Sequence, residues 1–232
     1  MQIDKNQKIL NLAAHQDDEV LGCGGLIVKA IKNKAKVKLL TLSDGVSSRF
    51  NNFSLKNPEI INSIKKRTNE AIKAQKILGI KDFFFGKFPD NRLDHVPLLD
   101  IIKMIEFHVK KFKPNMVLTH NQYETNIDHK IAYKATEVIS RPTKKNTIKK
   151  VYSFEIPCSV NWTFNKKFNP TTYINIQKEF NKKIKAWNCY ASEAQPFPFP
   201  RSAKALKVLA MYRGMQSGLI MAEAFRLERE II

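Results

Sequence analysis

The stretch "KILNLAAHQDDEVLGCGGLIVKAIKN" (Lys8–Asn33) sets the architecture. Its first part, "KILNLAAH", is a short apolar run that reads as a buried strand ending at His15. Its last part, "LGCGGLIVKAIKN", reads as a helix packed closely on its surroundings through its glycines. Between the two, His15 and the consecutive acids Asp17, Asp18 and Glu19 crowd a strand-to-helix turn. Acids at a helix start are ordinarily explained by capping and by the partial positive charge there. Adjacent carboxylates repel, however, and a divalent cation is the other explanation for gathering them beside a histidine.

Outward from this stretch the same rhythm recurs. "AKVKLLTLSDG" (Ala35–Gly45) alternates like a strand and ends in a turn. "NPEIINSIKKRTNEAIKAQKILGI" has helical spacing through Ile60, Ile61, Ile64, Ala71, Ala74 and Leu78, with Gly79 as a stop. "DFFFGKFPD" reads as a strand ending near Asp90, and Leu98–Phe112 as an apolar-faced helix. "PNMVLTH" is a strand ending at His120, "DHKIAYKATEVIS" a helix opening after Asn126, and "IKKVYSFEI" a further strand. Strands alternating with helices predict an α/β fold, a Rossmann-like, doubly wound, mostly parallel sheet with helices on both faces. Beyond Pro157 the pattern loosens into two helices, "QKEFNKKIKAWNCYASEA" and "SAKALKVLAMYRGMQSG", around the proline-rich "QPFPFPRS". No flexible linker precedes them, so residues 1–232 are expected to form one domain, with 158–232 a C-terminal extension packed on the core.

In this reading His15, Ser43–Asp44, Asp90 and His120 all fall at or just past the carboxyl ends of strands. Open parallel sheets bind ligands along that edge.

Composition narrows the function classes. The chain has 232 residues, 43% hydrophobic and 10% aromatic, which is globular and large enough for a substantial core. No apolar run approaches the ~18 residues of a membrane helix, so stable membrane insertion is not expected. The opening "MQIDKNQKIL" lacks the apolar stretch of a secretory signal, and a cytoplasmic protein is the expectation. Cys23, Cys158 and Cys189 are odd in number and far apart, which suits reduced structural thiols better than disulfides or a thiolate metal site. The net charge of +19 attracts anions, but only eight of the 40 basic residues are Arg and the lysines are spread widely, densest at "RPTKKNTIKK" (Arg141–Lys150). That pattern fits a solvated surface. A basic nucleic-acid-binding protein is a competing reading, but no nucleic-acid module is recognisable, and no nucleic-acid partner is expected. A homo-oligomer is compatible with the sequence.

His15 and Asp18, three residues apart across the turn, are placed to reach one metal ion, and "THNQYETNIDHK" (Thr119–Lys130) offers His120, Glu124, Asp128 and His129 for a third ligand. A His, carboxylate, His set is a common zinc arrangement with one position open to water. By spacing alone, hydrogen-bonded core histidines explain the pattern equally well.

"AAHQDDEVLGCGG" resembles the AHPDDE signature of the LmbE-like, or PIG-L, family of zinc-dependent de-N-acetylases, and "NIDHK" resembles its second motif. "SDG", "KKRTNEAIKAQKILGI", "FPDNRLD" and "PFPFPRSAKALKVLAMYRGMQSGLIMAEAF" follow in the family's order, the last like its bacterial branch. The resemblance covers nearly the whole chain. It implies Zn2+, or another divalent metal, held by His15, Asp18 and His129, with Asp17 as general base. Arg67, Asp90 and Asn126 would contact substrate; Asp44 falls at the pocket rim or serves the turn, and Glu19 supports the ligands or caps. The implied reaction is removal of acetyl from an N-acetylated amino sugar, an N-acetylglucosamine-type unit on a glycan, lipid or nucleotide carrier. A zinc amidase for another amide, such as a thiol conjugate, is the alternative. Two residues depart from the pattern: Gln16 replaces the usual proline, and Asn126 stands where some members carry histidine, where helix capping is an equally good reading.

Overall fold

The computed structural model describes residues 1, 3–51, 57–164 and 167–232. Strand β1 (Lys8–Ala13) leads into helix α1 (Asp18–Lys32), and β2 (Lys36–Ser43) into α2 (Pro58–Leu78). Then follow β3 (Asp82–Phe88), α3 (Leu98–Phe112), β4 (Met116–His120), α4 (Ile127–Ile139) and β5 (Lys150–Phe154). The chain closes with β6 (Thr172–Asn175), α5 (Phe180–Trp187), α6 (Ala203–Met215) and β7 (Ala222–Glu230).

The seven strands form one sheet in the order β3-β2-β1-β4-β5-β7-β6. Strands β1 to β5 are parallel, and β7 runs antiparallel to both β5 and β6. Strand β1 pairs with β2 on one side and β4 on the other, Ile9 lying opposite both Val37 and Met116. The crossovers therefore leave in opposite directions at β1 and β4, the place where doubly wound sheets open a crevice.

Alternate residues of the central strands feed two cores, as expected for a sheet covered on both faces. Ile9, Leu39, Met116 and Leu118 pack with α1, α2, α5 and α6. Leu10, Leu12, Leu40 and Val117 pack with α3 and α4. The ends of α2 follow local chemistry: Asn57 accepts the Glu59 amide at 2.9 Å, Pro58 opens the helix, and Gly79 closes it at φ 93°.

Close packing of α1 accounts for its glycines. A Cβ on Gly22 would lie 2.3 Å from the Phe154 ring, and one on Gly25 would lie 2.7 Å from Ile176. The helix breaks at Cys23 (φ −148°), which frees backbone groups in mid-helix. Glu223 of β7 accepts the Gly25 and Leu26 amides at 2.8 and 2.7 Å, and Lys183 of α5 donates to Leu21 O at 2.8 Å. The two side chains bond each other at 2.6 Å. A charged pair from the C-terminal segment thus splices the kink.

That segment holds more than the two expected helices. Residues 158–232 also supply β6 and β7 to the sheet, so the extension is woven into the core architecture as well as packed on it. Among the described residues no helix is long and apolar enough to cross a membrane. The three cysteines are free.

Candidate active site

Because β1 to β4 are parallel, the residues following them gather on one edge, and the sequence-predicted groups meet there. His15 Nδ1 lies 3.2 Å from Asp18 Oδ2 and 3.1 Å from His129 Nε2, and the last two atoms are 3.5 Å apart. Ligands about 2.0–2.2 Å from a tetrahedral cation stand about 3.3–3.6 Å from one another. The triangle of donor atoms matches one face of such a polyhedron.

The opposite nitrogen of each imidazole is held by acids. His15 Nε2 lies 3.1 Å from Asp90 Oδ1 and 3.2 Å from Asp128 Oδ2. Asp128 is pinned in turn, accepting the Asn91 amide at 2.8 Å and the Leu93 amide at 3.0 Å. His129 Nδ1 bonds Glu124, which also accepts the Ile156 amide at 3.0 Å. Protons on those outer nitrogens leave Nδ1 of His15 and Nε2 of His129 as lone pairs facing the triangle, the arrangement that orients metal-binding imidazoles. His120 is spent differently: its Nε2 accepts the Ala14 amide at 2.8 Å, and its ring stacks on His129 at 3.9 Å. It braces the site.

Charge gives the second test of fit. Burial favours neutral Asp18, but His129, His120 and His15 override it and hold this carboxyl well below its usual range. Burial disfavours the His129 imidazolium, yet Asp18 and Glu124 outweigh it and lift this group to about 9. With five buried acids around it, the cluster is completed by positive charge, whether protons on the histidines or a divalent cation. The donor set, its spacing and its charge all fit such an ion.

Asp17 stands apart from the triangle. It precedes α1, but its carboxylate makes no cap hydrogen bond, so capping does not explain it. Its backbone is held at φ 134°, a region costing a non-glycine residue about 1–3 kcal/mol. Glu19 stabilises that conformation: its Oε2 accepts the Asp17 amide at 2.9 Å, while Oε1 accepts Gln75 Nε2 at 2.6 Å and the Tyr190 hydroxyl at 2.7 Å. The three acids of the turn therefore have three separate sets of partners. Burial and the neighbouring Asp18 charge raise the Asp17 carboxyl to about 6, with Arg201 and Arg67 opposing. The Arg201 and Arg67 guanidiniums lie 3.4 and 3.6 Å from Asp17 Oδ2.

The substrate-contact candidates line a cavity of about 120 Å³ with His15 and Asp17. Arg67 is only 2% exposed, which excludes a surface ion pair; it donates to Gln16 O at 3.0 Å and bonds Glu193. Burial would raise Asp90, but hydrogen bonding to His15 brings it down to about 2; it also bonds Ser48. Asn126 is an N-cap, accepting the Asp128 and His129 amides at 2.8 and 3.4 Å and donating to Asn91 Oδ1 at 2.8 Å, and it lines the cavity too. Asp44 serves the turn, its Oδ1 accepting the Val46 and Ser47 amides at 3.0 and 2.9 Å. Sequence reasoning missed Glu193, whose carboxylate meets Arg49, Arg67 and Arg201, and Tyr190. It also saw Arg201 only as part of a longer motif. None of the three has a local signal.

The buried histidine–carboxylate–histidine triangle on the carboxyl edge of a doubly wound sheet, beside a separate carboxylate, is a group that could hold a metal ion. Residues 10–140 match the GlcNAc-PI de-N-acetylase (PIG-L) family, and the chain belongs to it. It is 25% identical over 226 residues to a diacetylchitobiose deacetylase of Thermococcus kodakarensis, covering 95% of this chain and 82% of that one. An N,N'-diacetylchitobiose deacetylase structure from Pyrococcus horikoshii superposes with TM-score 0.74 at 21% identity, over 97% of this chain and 85% of that one. GalB, a 4-carboxy-2-hydroxymuconate hydratase of Pseudomonas putida KT2440, does so equally (0.74, 21%, 97% and 98%). The fold itself therefore hosts more than one reaction. Family and relative together make this chain a deacetylase of the PIG-L type.

Proposed function

We propose that the protein is a zinc-dependent N-deacetylase that releases acetate from an N-acetylated amino sugar, an N-acetylglucosamine-type unit on a glycan, lipid or nucleotide carrier. One observation carries this reading: donor atoms of His15, Asp18 and His129, from segments more than a hundred residues apart, stand 3.1–3.5 Å from one another beside the separately held Asp17. Bound there, zinc polarises a carbonyl and lowers the cost of making hydroxide from water at neutral pH.

The chain's own residues do the rest. Asp17 takes a proton from the attacking water and delivers one to the leaving amine, so that amide and water become acetate and free amine. Its carboxyl stands at about 6 without a cation and is ionised at neutral pH, as a base must be. Arg67 and Arg201 hold Asp17 in place, their guanidiniums 3.6 and 3.4 Å from its Oδ2. Asp90, Arg67 and the free Nδ2 hydrogen of Asn126 present hydrogen-bonding groups to sugar hydroxyls, which fixes the acetamide for attack.

Acetate release from free, lipid-linked and nucleotide-linked acetamido sugars, with and without chelator, tests this. Release from at least one that stops with chelator and returns with zinc is expected. Chelator-insensitive release would remove the metal from the reading. Cleavage only of amide conjugates lacking an amino sugar would replace the substrate class with another amide.

A further inference from the structure

Arginine is the minority cation of this chain, eight of its 40 basic residues, yet three of the eight line the catalytic cavity and no lysine does among the described residues. The choice matters chemically. A guanidinium presents a planar fork of N–H donors that matches a carboxylate or phosphate, whereas a lysine ammonium is a point charge. Arg49 reaches the cavity from the short helical turn after β2, Arg67 from α2, and Arg201 from the segment just before α6.

All three converge on one carboxylate. Arg49 Nη2 and Arg67 Nη2 bond Glu193 Oε1, and Arg201 Nη1 lies 3.7 Å from Glu193 Oε2. Their other commitments differ. Arg67 is buried and also serves Gln16 O and Asp17. Arg201 Nη1 is 3.4 Å from Asp17 Oδ2, so one guanidinium stands between the proposed base and the Glu193 carboxylate. The Arg49 side chain is 47% exposed, and Glu193 is its carboxylate partner. Glu193 itself comes from the stretch between α5 and α6, outside any helix or strand, so its side chain can leave without breaking either.

We infer that Arg49 and Arg201 form an anion clasp at the rim of the catalytic cavity, filled by Glu193 in the free protein and by a phosphate or carboxylate group of the substrate in the complex. Glu193 shows that the space between the guanidiniums accepts a carboxylate. The identity of the sugar rests on the amino-sugar reading; the clasp does not. Because Arg201 stands between Asp17 and Glu193, the anionic group sits close enough to the base to be borne by the same amino sugar. Among the carriers considered above, those joined through phosphate fit the clasp and a neutral glycan does not.

The deciding quantity is the KM of an anionic acetamido sugar against that of a neutral one. N-acetylglucosamine 1-phosphate and carboxymethyl N-acetylglucosaminide are compared with methyl N-acetylglucosaminide on the zinc-loaded protein. At least one anionic sugar is expected to show a KM about tenfold below that of the methyl glycoside, the size of one charge-assisted hydrogen bond, and the lower of the two names the anion. Arg49→Ala is expected to bring the values together, and Glu193→Gln, which removes the competing charge, to spread them further. A purely structural tie between Arg49 and Glu193 would instead shift all three KM values in parallel. Parallel shifts, or no KM advantage for either anionic sugar, would overturn the clasp. Calorimetry of inorganic phosphate with the intact protein supplies a readout independent of turnover: Arg49→Ala should weaken binding and Glu193→Gln strengthen it. Phosphate affinity unmoved by both variants would also overturn the clasp. Phosphate binding that follows the two variants, in a protein that deacetylates none of the three sugars, would keep the clasp and sink the amino-sugar reading instead.

Discussion

The parallel strands β1–β4 and the C-terminal segment from residue 158 onward contribute to the same site in opposite ways. The first carries the groups proposed to do the chemistry: His15, Asp17, Asp18, Asp90 and His129 all follow parallel strands on one edge. The second brings restraint. Tyr190 holds Glu19, Arg201 and Glu193 hold Asp17 and Arg67, and Lys183 with Glu223 mends the broken helix that begins at Asp18. Reactive groups in one region and their supports in another mean that loss of a support should reduce the reaction without abolishing the metal site.

The largest effects should come from the parallel half. His129→Ala removes one corner of the triangle and takes from buried Glu124 its imidazole partner, leaving it the Ile156 amide. Metal content measured by elemental analysis should fall to background, and acetate release should drop more than about a thousandfold, in line with the loss of a metal that makes the nucleophile. A variant that kept its metal and its rate would break the division between the two regions at its root.

Next comes Asp17→Asn, which should keep metal and lose turnover by about 10²–10⁴-fold, the usual range for a proton-transfer group. The pH profile sharpens this. The base works ionised, so activity is present above its pKa and lost as pH falls through it; the group stands at about 6 without a cation. A cation nearby favours the ionised form, so the acid limb should fall at pH 6 or below, and vanish from whatever rate Asp17→Asn retains. An acid limb unchanged in the variant would assign it to another group.

The same division explains what was legible. Strand–helix alternation through β5 reads directly because fully covered parallel strands are apolar runs and their helices carry one apolar face. The helix Leu98–Phe112 is found where its spacing puts it. His15 and Asp18 are visible because both lie in one turn, and the resemblance of "NIDHK" to a family motif marks His129. Strand β7 was not visible. Only Phe225 pairs on both sides, with Phe154 of β5 and Thr172 of β6; Ala222–Ala224 pair with β6 alone, and the rest pairs with β5 alone and reads as the charged "RLERE". Tyr190, Glu193 and Lys183 were equally hidden, since the groups they hold at the site, Glu19, Arg67 and Leu21 O, lie between 126 and 171 residues away.

The C-terminal supports should give smaller and separable losses. Glu223→Gln removes the charge that pairs with buried Lys183 and one of the acceptors serving the kink amides. Breaking a buried pair leaves the other charge uncompensated, at about 3–5 kcal/mol. Denaturant midpoints should shift accordingly, while zinc per folded chain stays near wild type. Loss of zinc from protein that is still folded would show that the kink splice belongs to the metal site itself.

The smallest expected effect belongs to Tyr190→Phe. The hydroxyl donates to Glu19 Oε1, but Gln75 donates to the same oxygen at 2.6 Å, so the carboxylate is not orphaned. One hydrogen bond to a charged group contributes about 1.5–3 kcal/mol at most, and the remaining donor reduces that, so a stability loss of about 1 kcal/mol is expected. Glu19 would still accept the Asp17 amide at 2.9 Å, but with one fewer restraint on the strained φ of 134°. Looser placement of Asp17 lowers turnover and leaves KM and metal unchanged, because the triangle does not involve Tyr190 and the ring under the Arg67 guanidinium, 5.6 Å away, is retained in Phe. A rise in KM with unaltered turnover would mean that this ring positions substrate instead of the base, and would move Tyr190 from the supporting half of the comparison to the reacting one.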